Sequence, residues 1–168
     1  MSKKIKWETV INELPEMSAR IDSINGKSVE VGVTGAMCWL ANIHEYGCRI
    51  KVTPKMRTYL HSQGLHLNPN TTEIIIPERS FLRNGHDENV DRVMKQTERA
   101  IGQVLGGKMT ADDLLNLCGQ QMATAIKKYA RDLHEPPNHP FTIDRKGSSN
   151  PLVDTGQMIE SITWGDKL

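Results

Sequence analysis

The chain has 168 residues, which is enough for one ordinary domain, and its 21 Lys and Arg nearly balance its 20 Asp and Glu at a net charge of +1. A protein dedicated to binding phosphate backbones would carry a large basic excess, so that class is not expected. The odd cysteine count of three argues against a secreted disulfide scaffold, and no stretch reaches the roughly 18–20 apolar residues of a membrane span.

The spacing of apolar residues predicts the secondary structure: every third or fourth position indicates a helix, and every second position indicates a strand. The segment 58–67 follows neither pattern clearly. In chain order, the predicted elements are an N-terminal helix from Trp7 that Pro15 interrupts, a strand over 28–33, a helix over 36–46, strands over 49–52 and 72–76, helices over 90–105 and 110–133, a short helix after Asp154 and a strand over 161–164.

The second half of the chain combines two long amphipathic helices with a polar segment. Thr110 and Asp113 match the pattern of a capping box at the start of the second long helix. Residues 135–151 are rich in Pro, Asn, Gly and Ser, which is typical of an extended arm or loop. We predict an α+β fold in a single domain over 1–168, with a small antiparallel sheet of about four strands packed by two long helices and an N-terminal helix.

The segment 152–156 contains the Asp-Thr-Gly signature of aspartic proteases, in which two such carboxylates share a proton. Those folds have the motif near their beginning, whereas only 12 residues follow Gly156 here. The favoured interpretation is structural: Asp154 and Gln157 cap the start of a short helix. A small hydrolase that uses Asp154 stays open as an alternative from a different functional class.

The histidines and cysteines follow no metal-binding pattern. None of the six histidines has HExxH spacing, and His61 and His66 would form a site with His44 and Cys48 only if the fold brought them together. Surface or hydrogen-bonded roles are favoured for these side chains. We therefore expect no catalytic residue, no metal and no cofactor, and we predict that the chain is not an enzyme.

A cluster of four cations falls within nine residues, at Arg49, Lys51, Lys55 and Arg57. The alternation of cationic and apolar residues from Arg49 predicts a strand with one basic face. Such a face is commonly only solvated. The functional alternative is contact with DNA or with an acidic neighbour in an assembly.

Three segments share their order and approximate spacing with elements of a known family. Residues 40–47 read LANIHEYG, residues 76–83 read IPERSFLR, and residues 151–163 read PLVDTGQMIESIT. They resemble the elements A-x-I-H-E-[YF]-G, I-P-x-R-P-F-L-R and P-L-x-D-T-G-x-[LM]-x-x-S-I of the tail-completion (neck) proteins of long-tailed bacteriophages, which include minor tail protein Z-like and virion morphogenesis proteins. Ser80 departs from the second element, because many relatives carry a proline there.

The resemblance implies a compact α+β subunit that assembles as a homo-oligomeric ring at the head-proximal end of the tail, with no catalytic residues. The implied partners are other neck and tail proteins, namely the tail terminator and the head connector, with transient non-specific DNA contact and no membrane. The expected location is the tail or neck of the virion, assembled in the host bacterial cytoplasm.

The candidate site residues fall into two groups. Candidates for subunit or partner contacts are Glu45, Tyr46, Arg79 and Arg83. Candidates for facing a DNA channel are Arg49, Lys51, Lys55 and Arg57. Within the same functional class, the alternative is another neck component, such as a head-closure or tail-terminator protein.

Overall fold

The computed structural model describes residues 14–166, which form both helices and strands, so the fold is α+β. The helices are α1 (residues 14–24), α2 (Cys38–Tyr46), α3 (Pro54–Ser62), α4 (Phe81–Asp87), α5 (Val90–Leu105), α6 (Ala111–Asp132), α7 (Pro140–Lys146) and α8 (Gln157–Glu160). The strands are β1 (Glu30–Val33), β2 (Cys48–Lys51), β3 (Glu73–Ile76) and β4 (Ile162–Gly165). The predicted start of the N-terminal helix at Trp7 lies outside the described residues.

The strands form two separate two-stranded sheets, one of β1 with β4 and one of β2 with β3. β2 and β3 run antiparallel, with Cys48 opposite Ile76 and Lys51 opposite Glu73. The prediction of about four strands therefore agrees in number, but the strands do not form one sheet. Side-chain alternation marks a segment as a strand and leaves its neighbour unspecified, which is why the pairing differs.

Both long helices are confirmed as α5 and α6, and the predicted capping box precedes α6. The carboxylate of Asp113 accepts hydrogen bonds from the Thr110 hydroxyl and amide, and the Thr110 hydroxyl accepts from the Asp113 amide at 3.1 Å. The hydrogen bond from the Thr110 side chain, followed by that from its backbone, lowers the pKa of Asp113 below its ordinary value. The helix start is thus capped reciprocally.

The second predicted cap is wrong. The residue before α8 is Gly156, with a φ of 82°, and no side chain caps the helix at that position. The Gln157 amide donates to the Thr155 hydroxyl at 3.5 Å, while Asp154 is exposed. Because Gly156 adopts the left-handed conformation, the chain enters α8 by a turn in which Asp154 and Gln157 form no capping box.

The basic segment is a strand only as far as Lys51, and its remaining cations lie on α3. This helix begins after Thr53, whose hydroxyl accepts a hydrogen bond from the Met56 amide at 3.2 Å, with Pro54 at its first position. Proline suits that position because its missing N–H has no partner inside the helix. The predicted basic strand therefore ends before Lys55 and Arg57.

The prediction of an extended arm or loop over residues 135–151 is wrong in part. The segment contains α7 and makes hydrogen bonds within itself. The Lys146 ammonium donates to the carbonyls of Asn150 at 2.6 Å and Pro151 at 3.3 Å. The Asn150 side chain accepts from the Leu152 and Val153 amides at 2.8 Å and 3.0 Å. These two side chains thus provide hydrogen-bond partners for backbone groups that a loop of this composition would otherwise expose to solvent.

The described residues divide into two compact units, one of residues 14–32, 89–124 and 163–166 and the other of residues 33–88 and 125–162. The first unit has an apolar cluster of Ala100, Val104 and Leu114 packed with Ile24, Ile101, Met109 and Leu117. In the second unit, Phe81, Ile159 and Ile162 are the largest side chains with at most 1% exposure. The single domain over 1–168 stays a prediction.

Gly119 on α6 should not tolerate a side chain. An added Cβ would lie 2.5 Å from Cδ1 and 2.9 Å from Cβ of Trp164, within the first unit. We expect Gly119→Ala to lower the free energy of unfolding by about 1–3 kcal/mol through overpacking, as measured by urea denaturation.

Gly102 on α5 provides the matched control, because an added Cβ there would meet nothing within 4 Å. Gly102→Ala should raise the free energy of unfolding by roughly 0.5–1 kcal/mol, since alanine favours the helix. Equal effects at both positions would contradict the close packing of Trp164 on Gly119.

Candidate functional site

The carboxylate of Glu45 links the first and second motif segments inside the second unit. Glu45 lies on α2 and is 3% exposed. Its two oxygens accept hydrogen bonds from the amides of Leu82 at 2.9 Å and Arg83 at 3.0 Å, in the first turn of α4. Because Ser80, the residue that precedes α4, makes no side-chain cap, Glu45 satisfies amides that lack partners within the helix. Its negative charge also suits the positive end of the helix dipole.

Arg83 extends this contact into a network that includes both backbone and side chains of the first segment. Its Nε donates to the Glu45 carboxylate at 2.9 Å, and one terminal nitrogen donates to the Glu45 carbonyl at 2.9 Å and to the Glu78 carboxylate at 2.7 Å. The guanidinium also lies 4.8 Å from the ring centroid of Tyr46. We name Glu45, Tyr46, Glu78, Leu82 and Arg83 the Glu45 junction.

The two acidic partners of Arg83 stabilise its protonated form. The hydrogen bond to Glu45 and then that to Glu78 raise the pKa of Arg83 above its ordinary value. In turn, the hydrogen bond from Ser80, followed by that from Arg83, lowers the pKa of Glu78. Both groups are therefore held in their charged forms. This arrangement fixes the charges of Arg83 and Glu78.

Gly47 permits the close backbone approach between the same two segments. Its φ is 72°, and an added Cβ would lie 2.9 Å from the Ile76 carbonyl oxygen and 3.0 Å from the Glu78 nitrogen. Both contacts are with backbone, so no side-chain movement would relieve them. Glycine is required here for its conformation and for its lack of a side chain.

Arg79 connects the second segment to the residues before α7. It is 3% exposed, and its amide donates to the His44 carbonyl at 2.7 Å. Its guanidinium donates to the carbonyls of Pro136 at 2.8 Å and Pro137 at 3.1 Å and to the Asn138 side chain at 3.1 Å. Burial lowers the pKa of Arg79. Hydrogen bonds that Arg79 donates to neutral oxygens thus stabilise a buried cation.

His44 lies beside this buried cation. Burial is the main cause that lowers the pKa of His44 to about 4, and the charges of Arg79 and Lys146 lower it further. Its Nδ1 is buried and has no hydrogen-bond partner in the structure. The imidazole is therefore neutral at physiological pH, and its surroundings oppose the charged form that a proton shuttle must adopt.

An exposed patch borders the Glu45 junction. Tyr46 and Ile75 are 61% and 60% exposed, and together with Arg49 they line a shallow cleft that also includes Pro77 and Glu78. Arg49 is paired only loosely, at 3.7 Å from the Glu73 carboxylate. We name Tyr46, Arg49 and Ile75 the Tyr46 patch. It combines an aromatic ring, an aliphatic side chain and a cation, a composition common in protein interfaces.

The structure separates the four candidate contact residues into two kinds. Tyr46 is exposed and Arg83 is half exposed, so both are accessible to a neighbour. Glu45 and Arg79 are buried and bonded within the chain, which corrects their assignment as surface contacts. Charged residues rarely lie inside a protein without partners, and the sequence does not display the partners that these two residues have.

The candidate DNA-facing cations fall into two groups, those that are exposed and one that is hydrogen-bonded within the chain. Arg49, Lys51 and Lys55 are exposed. The Arg57 guanidinium donates to four backbone carbonyls, and its role is therefore to hold the following loop. These acceptors are the carbonyls of Leu67, Asn68, Pro69 and Thr71, at 3.3, 2.9, 3.4 and 2.7 Å.

Within residues 14–166, no group of three or more His, Cys, Asp or Glu side chains is arranged to hold a metal ion. None of the helices in that range has the length and apolar character needed to cross a membrane. Comparison with known proteins gives no matching family model, no matching curated protein and no matching solved structure.

Removal of the Glu45 carboxylate should unfold the second unit more readily. Glu45→Ala leaves two helix-start amides and the Nε of Arg83 without their carboxylate acceptor, and we expect a loss of about 2–4 kcal/mol in the free energy of unfolding. Urea denaturation followed by circular dichroism measures this loss.

Glu73→Ala is the matched control, because the Glu73 side chain is 47% exposed and its ionic contact with Arg49 is long, at 3.7 Å. It should cost less than about 1 kcal/mol. If Glu45→Ala costs no more than this control, the carboxylate does not stabilise the start of α4.

Proposed function

We propose that the chain is a tail-completion subunit of a long-tailed bacteriophage, which joins the tail to the head connector. The proposal rests on the ordered trio of motif segments over residues 40–163. The observation that carries it furthest is the contact between Glu45 of the first segment and Arg83 of the second, at 2.9 Å. Residues quoted for the resemblance thus bond to each other, as expected if the motifs encode one folded unit.

The same contacts support a structural role over a catalytic one. The Glu45 carboxylate already accepts hydrogen bonds from two amides and a guanidinium. The Arg79 guanidinium already donates hydrogen bonds to three oxygens of the residues before α7. Reactive groups need access to substrate and a matched proton affinity. The resemblance implies a compact α+β subunit, and the α+β fold of this chain agrees with that.

The Tyr46 patch is the surface that we assign to a neighbouring virion protein. Exposed aromatic and aliphatic side chains next to a cation supply buried area and directionality in interfaces. Arg83 lies against the Tyr46 ring and restrains it, which reduces the entropy that binding would remove. In a ring, the partner is an adjacent subunit, the tail terminator or the head connector.

A secondary part of the proposal concerns DNA. Arg49, Lys51 and Lys55 are exposed, and if they face the channel of the ring, their contacts with passing DNA are weak and independent of sequence. Arg57 is excluded from that role because the loop carbonyls already engage its guanidinium. The net charge of +1 agrees with transient contact and not with stable binding.

Electron microscopy of phage particles made without this protein tests the proposal. We expect finished heads and finished tails that fail to join, and restoration of joined particles by the wild-type chain. The patch variant Tyr46→Ala with Ile75→Ser should reduce joined particles by roughly tenfold or more, because a few central residues commonly dominate an interface.

Tyr59→Ala is the matched control, since Tyr59 is 58% exposed on α3 and does not line the patch. It should restore joining as the wild type does. Normal joined particles in the absence of the protein would refute the proposal, and a labelled chain located elsewhere on the particle axis would favour another neck component. Loss of a hydrolytic activity in Asp154→Asn, with the fold intact, would favour the hydrolase.

A further inference from the structure

Two histidines outside the Glu45 junction have their ring nitrogens in contact. The Nδ1 of His61, in the last turn of α3, lies 2.7 Å from the Nδ1 of His66, and the ring centroids are 4.4 Å apart at an interplanar angle of 67°. At this distance one nitrogen carries the hydrogen and the other offers its lone pair. The two nitrogens therefore face each other across a short gap.

The backbone around the pair holds both rings at the same edge of the helix. The Gly64 amide donates to the His61 carbonyl at 3.0 Å, and the Leu65 amide donates to the Leu60 carbonyl at 2.9 Å. Gly64 has a φ of 88°, which lets the chain reverse directly after α3. The four carbonyl contacts of Arg57 fix the residues that follow His66. The fold thus holds the backbones of His61 and His66 close enough for their rings to meet.

The chemistry of the cleft beside His61 and His66 suits a transition-metal cation. Imidazole nitrogen is a preferred ligand for Zn²⁺, Ni²⁺ and Cu²⁺. The last carbonyls of α3 carry partial negative charge, which favours a cation beside His61. Arg57 also lines the cleft, but it directs its charge toward the loop carbonyls. The cleft is open to solvent, so water can supply the remaining ligands.

We propose that His61 and His66 form a two-histidine site for a divalent transition-metal ion of the Zn²⁺ and Ni²⁺ class, bound through both Nδ1 atoms and completed by water. The metal replaces the hydrogen shared by the two nitrogens, and the ring that carried this hydrogen on Nδ1 takes up a proton on Nε2 through exchange with solvent, so both imidazoles stay neutral. Metal–nitrogen bonds of about 2.0–2.1 Å separate two tetrahedral ligands by roughly 3.3 Å, so the nitrogens must part by roughly 0.6 Å. Both side chains are exposed, which permits this movement.

Calorimetric titration of the full chain with NiCl₂ at about pH 8, where ordinary imidazoles are neutral, tests the site. The proteins compared are the wild type, His61→Ala, His66→Ala and the control His134→Ala, which removes an exposed histidine outside the cleft. The wild type and His134→Ala should bind alike. Each variant of the pair should bind at least about tenfold more weakly, since even the supporting partners of metal ligands contribute that much.

Long-range ¹H–¹⁵N spectra of the imidazoles identify the bound nitrogen. Addition of Ni²⁺ or Zn²⁺ should perturb Nδ1 of both His61 and His66, whereas Mg²⁺, which prefers oxygen ligands, should leave them unchanged. Equal Ni²⁺ affinity in all four proteins, or perturbation confined to other histidines, would overturn the proposal. Circular dichroism checks folding, and His61→Gln and His66→Gln replace any alanine variant that unfolds.

Discussion

The Glu45 carboxylate accepts hydrogen bonds from the first-turn amides of α4, and the junction between the first and second motif segments depends on this contact. A helix start without a side-chain cap has unsatisfied amides, and such groups destabilise a protein when they are buried. Here the acceptor comes from a different helix, so the contact that caps α4 also attaches α2 to it. One residue therefore determines both a local structure and a tertiary contact.

Gly47 and Arg83 make further contacts beside this attachment. With α2 fixed on α4, the chain must pass at once into β2, and only glycine at position 47 fits against the Ile76 carbonyl. Arg83 then reaches the carboxylate and the carbonyl of Glu45 and lies on the Tyr46 ring. The buried polar residues stabilise the unit, and the aromatic ring that they position remains exposed. This division of roles is suited to an assembly protein, whose contact surface must be ordered before its partner arrives.

Local patterns predicted the secondary structure better than they predicted the site. The helices α5 and α6 and the Thr110–Asp113 cap depend on residues three or four apart, which the sequence displays directly. Glu45 and Leu82 are 37 residues apart, and no local pattern distinguishes a buried carboxylate that caps a distant helix from an exposed one. The predicted Asp154 cap is wrong for a local reason, because the left-handed turn at Gly156 changes the start of α8. The proximity of His61 and His66 depends on the reversal at Gly64, which spacing alone did not indicate.

Native-state hydrogen exchange at the Leu82 and Arg83 amides tests the central role of Glu45 most directly. The account predicts that both amides exchange as slowly as the most protected amides of the second unit, because only unfolding of that unit exposes them. In Glu45→Ala they should exchange at least roughly tenfold faster than in the wild type under the same conditions. Rapid exchange of both amides in the wild type, comparable to that of exposed loop residues, would contradict the account.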